Sequence, residues 1–117
     1  MTALFGIPNC TTVQKAQAWL DSNQIAYDFH DYKKMAIDHA HLQKWCDKLG
    51  WEMVLNRQGM MWKKASDADK NKVIDQESAI EFMIKVPTSI KRPIIEHKQG
   101  LLRGFVVEDY ERVFSEL

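Results

Sequence analysis

The chain has 117 residues, enough for one domain with one core. It is 45% apolar and 27% charged, and 16 Lys and Arg balance 16 Asp and Glu, so its net charge is zero. That balance argues against a nonspecific nucleic-acid binder, and no apolar run is long enough to cross a bilayer. Two cysteines and no signal peptide predict a reducing cytosol, with a monomer as the expected state.

Residues 2–6 predict a strand, followed by a turn at Ile7-Pro8-Asn9. Thr11 to Ser22 predicts a helix, with Val13, Ala16, Trp19 and Leu20 on one face and Asn23-Gln24 at its end. Ile25 to Asp31 alternates apolar and polar residues, as a half-buried strand does. These elements make a βαβ unit with parallel strands. Asp38 can cap a helix carrying His41, Leu42, Trp45, Cys46 and Leu49, closed by Gly50. Trp51 to about Lys64 predicts one or two short helices around Asn56-Arg57-Gln58-Gly59, and 65–72 reads as a polar, exposed segment. Ser78 to Lys85 predicts another helix, stopped by Val86-Pro87. Arg92 to Glu96 reads as a strand opening at Pro93. His97 to Gly100 reads as a hairpin turn, Leu101 to Val106 as the second strand and Glu108 to Leu117 as a closing helix. The order is βαβ, a helical insert at about 36–86, then ββα: an α/β fold in a single domain, 1–117.

Cys10 sits between the first turn and the first helix. The free amides of a helix N-terminus and the positive end of its dipole stabilise an anion there, which lowers a thiol's pKa and sharpens it as a nucleophile. The alternative is an inert cysteine packed as a small hydrophobe; the strand–turn–cysteine–helix order favours the reactive reading. Position 13 is Val13, so there is no Cys-x-x-Cys pair, and any redox role needs one thiol and an outside partner. Cys10 could pair with Cys46 only within disulfide reach; the helical spacing of Cys46 with Leu42 and Leu49 favours burial.

In a βαβ-ββα sheet the start of the Arg92 strand lies beside the Cys10 turn. Guanidinium groups bind oxyanions and carboxylates through paired hydrogen bonds, which makes Arg57, Arg92 and Arg103 candidates for an anionic substrate. The alternative for each is a solvated surface charge. Pro93 is either cis, which would present the Arg92 backbone to an extended substrate, or an ordinary trans proline at a strand edge. His30, His39, His41 and His97 show no zinc spacing, so no metal site is expected and local hydrogen bonds are. Trp19, Trp45, Trp51 and Trp62 read as core or cleft-wall residues.

Four segments, Phe5-Gly6-Ile7-Pro8-Asn9-Cys10-Thr11-Thr12-Val13-Gln14-Lys15-Ala16, Asn56-Arg57-Gln58-Gly59, Lys91-Arg92-Pro93-Ile94 and Gly104-Phe105, stand in this order along the chain. Together they resemble the arsenate reductase (ArsC)/Spx family, most of all its small YffB-like (Spx/MgsR-type) bacterial members. The resemblance implies a thioredoxin-like four-stranded mixed sheet, with Cys10 as the nucleophile and Pro93 as the cis-proline. Arg57 and Arg92 match oxyanion-binding arginines, and Asn9, Thr11 and Thr12 flank the cysteine in the substrate or glutathione site. Arg103 lies near the place of a third arginine, in a different local pattern. Arsenate reductases carry a histidine where this chain has Gly6 and a small hydroxyl residue where it has Val13. The resemblance therefore implies a glutathione-dependent monothiol reductase rather than a dedicated arsenate reductase. Glutathione would be a co-substrate, glutaredoxin a possible partner, and no cofactor would be tightly bound. The alternative is an Spx-like, non-enzymatic regulator that binds RNA polymerase.

Overall fold

The computed structural model describes residues 2–98 and 100–115. The chain divides into two compact units, Met1–Asp31 with Arg92–Leu117, and Tyr32–Lys91.

The first unit holds a four-stranded mixed sheet in the order β2-β1-β3-β4. β1 (Ala3–Gly6) runs parallel to β2 (Asp28–Asp31) and antiparallel to β3 (Ile94–His97), which pairs antiparallel with β4 (Gly100–Arg103). The βαβ-ββα order therefore builds the expected sheet. Leu4, Ile95 and Leu102 are register partners and share one face. On that face they pack in one cluster with Val13, Ala16 and Leu20 of α1 (Thr11–Ser22) and Tyr110 and Phe114 of α7 (Val107–Phe114). The period of about 3.6 in α1 and the alternation in the strands thus converge on one core.

The largest differences from the sequence reading fall at the ends of three strands. Residues 25–27 lie outside the ladder, because β1 is only four residues long and Ala3 already pairs with Asp28; Ile25 and Tyr27 pack against the core cluster instead. β3 begins at Ile94 and not Arg92, since Pro93 has no amide to donate. β4 stops at Arg103 instead of running to Val106, because Gly104 adopts φ 70° and turns the chain toward α7. Within the predicted hairpin turn, Gln99 lies outside the described residues, as do Glu116 and Leu117 of the predicted last helix.

The second unit is helical. In α2 (His39–Leu49), Asp38 caps the first turn by accepting from the His41 amide at 2.8 Å, and Gly50 ends the helix at φ 90°. Two short helices follow, α3 (Trp51–Val54) and α4 (Met60–Lys63). The polar segment at 65–72 is not merely exposed chain: Asp67–Lys72 forms helix α5. It buries no side chain, so it carries no apolar period. Its signal is the Ser66 cap, with acids in the first turn and lysines in the last. α6 (Gln76–Lys85) starts two residues before the predicted Ser78, because Asp75 and Ser78 form a capping box. A 3₁₀ turn at Pro87–Ser89 follows, and Asn56 donates its amide to Ser89 O at 2.8 Å. α2, α3 and α6 pack together, and Leu42, Trp45, Cys46, Ile80 and Met83 are buried. No helix among the described residues is long and apolar enough to cross a membrane.

Candidate functional site

The turn after β1 is tied to the helix behind it. Gln14 Nε2 donates to Pro8 O at 3.0 Å, and the Gln14 amide donates to Cys10 O at 2.9 Å. Cys10 is the N-cap of α1, with extended backbone (φ −99°, ψ 126°) and a partly exposed side chain. At that position Sγ faces the free amides of the first turn. Neither amide makes a strict cap hydrogen bond to the neutral thiol, yet both favour its anion. Partial burial pushes the thiol up. The Val13 amide, the Arg92 side chain and the Thr12 amide stabilise the thiolate and oppose that push, and the Arg92 charge adds to them, so the Cys10 pKa is lowered overall. Asn9 and Thr11 are exposed on either side of Cys10, and Thr12 is half-buried.

Arg92 reaches Cys10 because Phe5 pairs with Ile94, which sets the start of β3 beside the end of β1. The Arg92–Pro93 bond is cis. Pro93 O accepts the Gly104 amide at 2.8 Å, and Gly104 O accepts the Tyr110 hydroxyl at 2.6 Å. Helix α7 is thus connected through two hydrogen bonds to Pro93, the residue after Arg92. Arg103 is the register partner of Ile94, at the same end of the sheet as Pro93; alternation places it on the face opposite Leu102.

Arg57 belongs to the second unit. Its Nη2 lies 3.3 Å from Glu52 Oε2, and its guanidinium carbon lies 5.4 Å from the centre of the Trp51 ring. Asn56 shapes its loop by accepting from the Gln58 amide at 3.2 Å on Oδ1 and from the Gly59 amide at 3.2 Å on O. Cys46 is buried, and burial, aided by the Asp47 charge, pushes its thiol up to about 11. Both cysteines are free thiols. His39 pairs with Glu77, His41 with Asp38, His30 stacks on Phe5, and His97 bonds Thr2 Oγ1 at 2.7 Å.

Sequence reasoning missed three supports. Glu52 and Trp51 hold Arg57, and a Glu and an Arg five residues apart carry no helical signal across a loop. Tyr110 supports Gly104, a contact whose only trace in the sequence is a tyrosine six residues after a glycine. Gly6 packs directly on Val13.

A strand–turn–cysteine–helix unit beside a cis-proline strand, on this four-stranded sheet, defines a thioredoxin-like α/β protein. The ArsC family model matches residues 5–113, and the chain belongs to the ArsC family. It is similar to a solved structure described as a YFFB protein, with 43% identity and a TM-score of 0.92 over 97% of this chain and 98% of that one. An arsenate reductase (ArsC) related protein from Brucella melitensis is 36% identical, with a TM-score of 0.73 over 99% of this chain and 95% of that one. The global transcriptional regulator Spx of Streptococcus agalactiae is 29% identical over 97% of this chain and 82% of its own length.

Proposed function

We propose that the protein is a glutathione-dependent monothiol reductase with Cys10 as its nucleophile. The observation that carries this reading is the setting of Cys10: a partly exposed thiol whose anion is favoured by two helix-start amides and by Arg92. Such a thiolate attacks disulfide sulfur at neutral pH. In the first step the Cys10 thiolate attacks the glutathione sulfur of a mixed disulfide. The Cys10–glutathione disulfide forms, the substrate's own disulfide bond breaks, and the substrate sulfur leaves as a thiolate that takes a proton from water. In the second step the thiolate of reduced glutathione attacks the glutathione sulfur of that adduct. Oxidised glutathione forms, and the Cys10 thiolate returns to its amides. Glutathione is therefore a co-substrate, and a glutaredoxin is a competent alternative reductant for the adduct.

Arg92 supplies the cation at the reacting sulfur. Arg57 enters the proposal through its chemistry, as an exposed guanidinium able to bind a glutathione carboxylate, and Arg103 as a weaker candidate for the same task. Dependence on reduced thiols fits a cytoplasmic setting. Arsenate is a poorer substrate in this reading, because position 6 offers no side chain and position 13 no hydroxyl.

The test is intact-mass measurement of the reduced protein after incubation with oxidised glutathione, beside Cys10→Ser. One glutathione adduct that requires Cys10 and is released by reduced glutathione or glutaredoxin supports the proposal. No adduct at neutral pH removes it.

The similarity to Spx favours a second reading, a regulator that binds RNA polymerase without catalysis. In that case Cys10→Ser leaves polymerase binding intact, whereas the reductase loses turnover completely.

A further inference from the structure

We infer that Gly6 is a positioning residue for the Cys10 thiolate and acts through the packing of Val13. The inference rests on the reading of Cys10 as a reactive thiolate. Gly6 is the last residue of β1, and a Cβ placed there would lie 2.8 Å from Val13 Cγ2, 3.4 Å from Cγ1 and 3.7 Å from Val13 Cβ. The lack of a side chain is a matter of space and not of dihedral angle, since Gly6 is absent from the positive-φ glycines Gly50, Gly100 and Gly104.

Something must move if position 6 gains a side chain, and three candidates differ in cost. β1 is a central strand, paired with β2 on one side and β3 on the other, so its backbone is held from both edges. The Val13 side chain is fully buried and β-branched. Helical valines keep one χ1 rotamer in about 90% of cases, so rotation away is disfavoured. The first turn of α1 remains. It lies at the end of the helix, held by the Cys10 cap and by Gln14, whose side chain donates to Pro8 O, and shifting it carries the Val13 amide with it. With Cys10 as N-cap, Val13 is the third helical residue, whose amide faces the capping atom. A shift of that turn opens the distance between this amide and Sγ. Gly6 and Val13 therefore fit together: the bare strand backbone leaves room for the valine, so the first turn of α1 is not pushed away and the Val13 amide stays under the sulfur.

The experiment follows the pH profile of Cys10 alkylation by peptide mass, with circular dichroism as the check on folding. Four proteins are compared: wild type, Gly6→Ala, Val13→Ala and Gly6→Ala/Val13→Ala. Gly6→Ala should move the Cys10 midpoint up toward the ordinary thiol value of 9.0 and slow alkylation severalfold at neutral pH. Val13→Ala should keep the wild-type midpoint, because the amide stays in place. The double variant restores room for the new methyl, and its midpoint should return to that of wild type. If Gly6→Ala alone does not fold, the double variant must fold and titrate like wild type. A low wild-type midpoint that Gly6→Ala leaves unchanged overturns this inference alone, as does a double variant that keeps the raised midpoint or does not fold. A wild-type midpoint at the ordinary value overturns the thiolate reading and this inference together.

Discussion

Tyr110 offers the sharpest test of what holds the turn at Gly104 in place. Its side chain is fully buried, and its hydroxyl donates to Gly104 O at 2.6 Å. The ring lies edge-on to Trp19, with centroids 5.4 Å apart, and to Phe105 at 5.0 Å. Burial pushes the phenol well above its usual range, so it remains a neutral donor at all ordinary pH values. Tyr110→Phe keeps the ring and its aromatic contacts and deletes only the donor. The Gly104 carbonyl is then left buried and unmatched, a loss of about 1–3 kcal/mol. For 117 residues the entropy of unfolding is about 0.25 kcal/mol per kelvin, so the melting temperature should fall by about 4–12 °C. Urea unfolding should show a lower midpoint with an unchanged slope, because the exposed surface is the same. A melting temperature within about 2 °C of wild type would refute the reasoning, since it would mean that the hydroxyl contributes almost nothing net.

Other consequences are open to equally direct measurement. At neutral pH iodoacetamide should modify Cys10 and spare Cys46, whose thiol is buried and pushed up to about 11, until the protein is denatured; peptide mapping that finds both modified at equal rates in the folded protein contradicts this. Burial first, then nearby positive charge that includes Lys98, lowers the His97 pKa below 6.5. The fold therefore favours neutral His97: its contribution is fully present above 6.5 and is lost as pH falls from there through the folded pKa. His97→Gln should flatten that part of the stability–pH curve, measured by urea unfolding at a series of pH values. Asp75→Ala removes the capping box of α6 and should cost about 0.5–2 kcal/mol in the same assay, with no change in Cys10 alkylation.

What the residues made legible was whatever they encode locally. The helix at Thr11–Ser22 lies where the sequence places it, because a Pro-Asn turn, a cap position and an apolar stripe all agree on it. The same locality put Cys10 at the helix start, and the strand order then brought Arg92 to it. Helix α5 was illegible for the opposite reason. A helix that buries nothing writes no apolar period into its sequence, and its caps and end charges are short signals that a polar loop can also carry. Strand lengths were overestimated at β2 and β4 because a strand is as long as its partner allows, and alternation continues past the last ladder bond. Several side-chain partnerships were not legible. Nothing local links Tyr110 to Gly104 or Glu52 to Arg57, and nothing shows that a strand-end glycine makes room for Val13. These unseen contacts share a feature that follows from their place. The residues that react announce themselves through their chemistry, but the residues that position them do so only through shape, and shape appears when the chain is folded. Arg92 was therefore legible as a partner of Cys10, whereas the close approach of Gly6 to Val13 behind it was not.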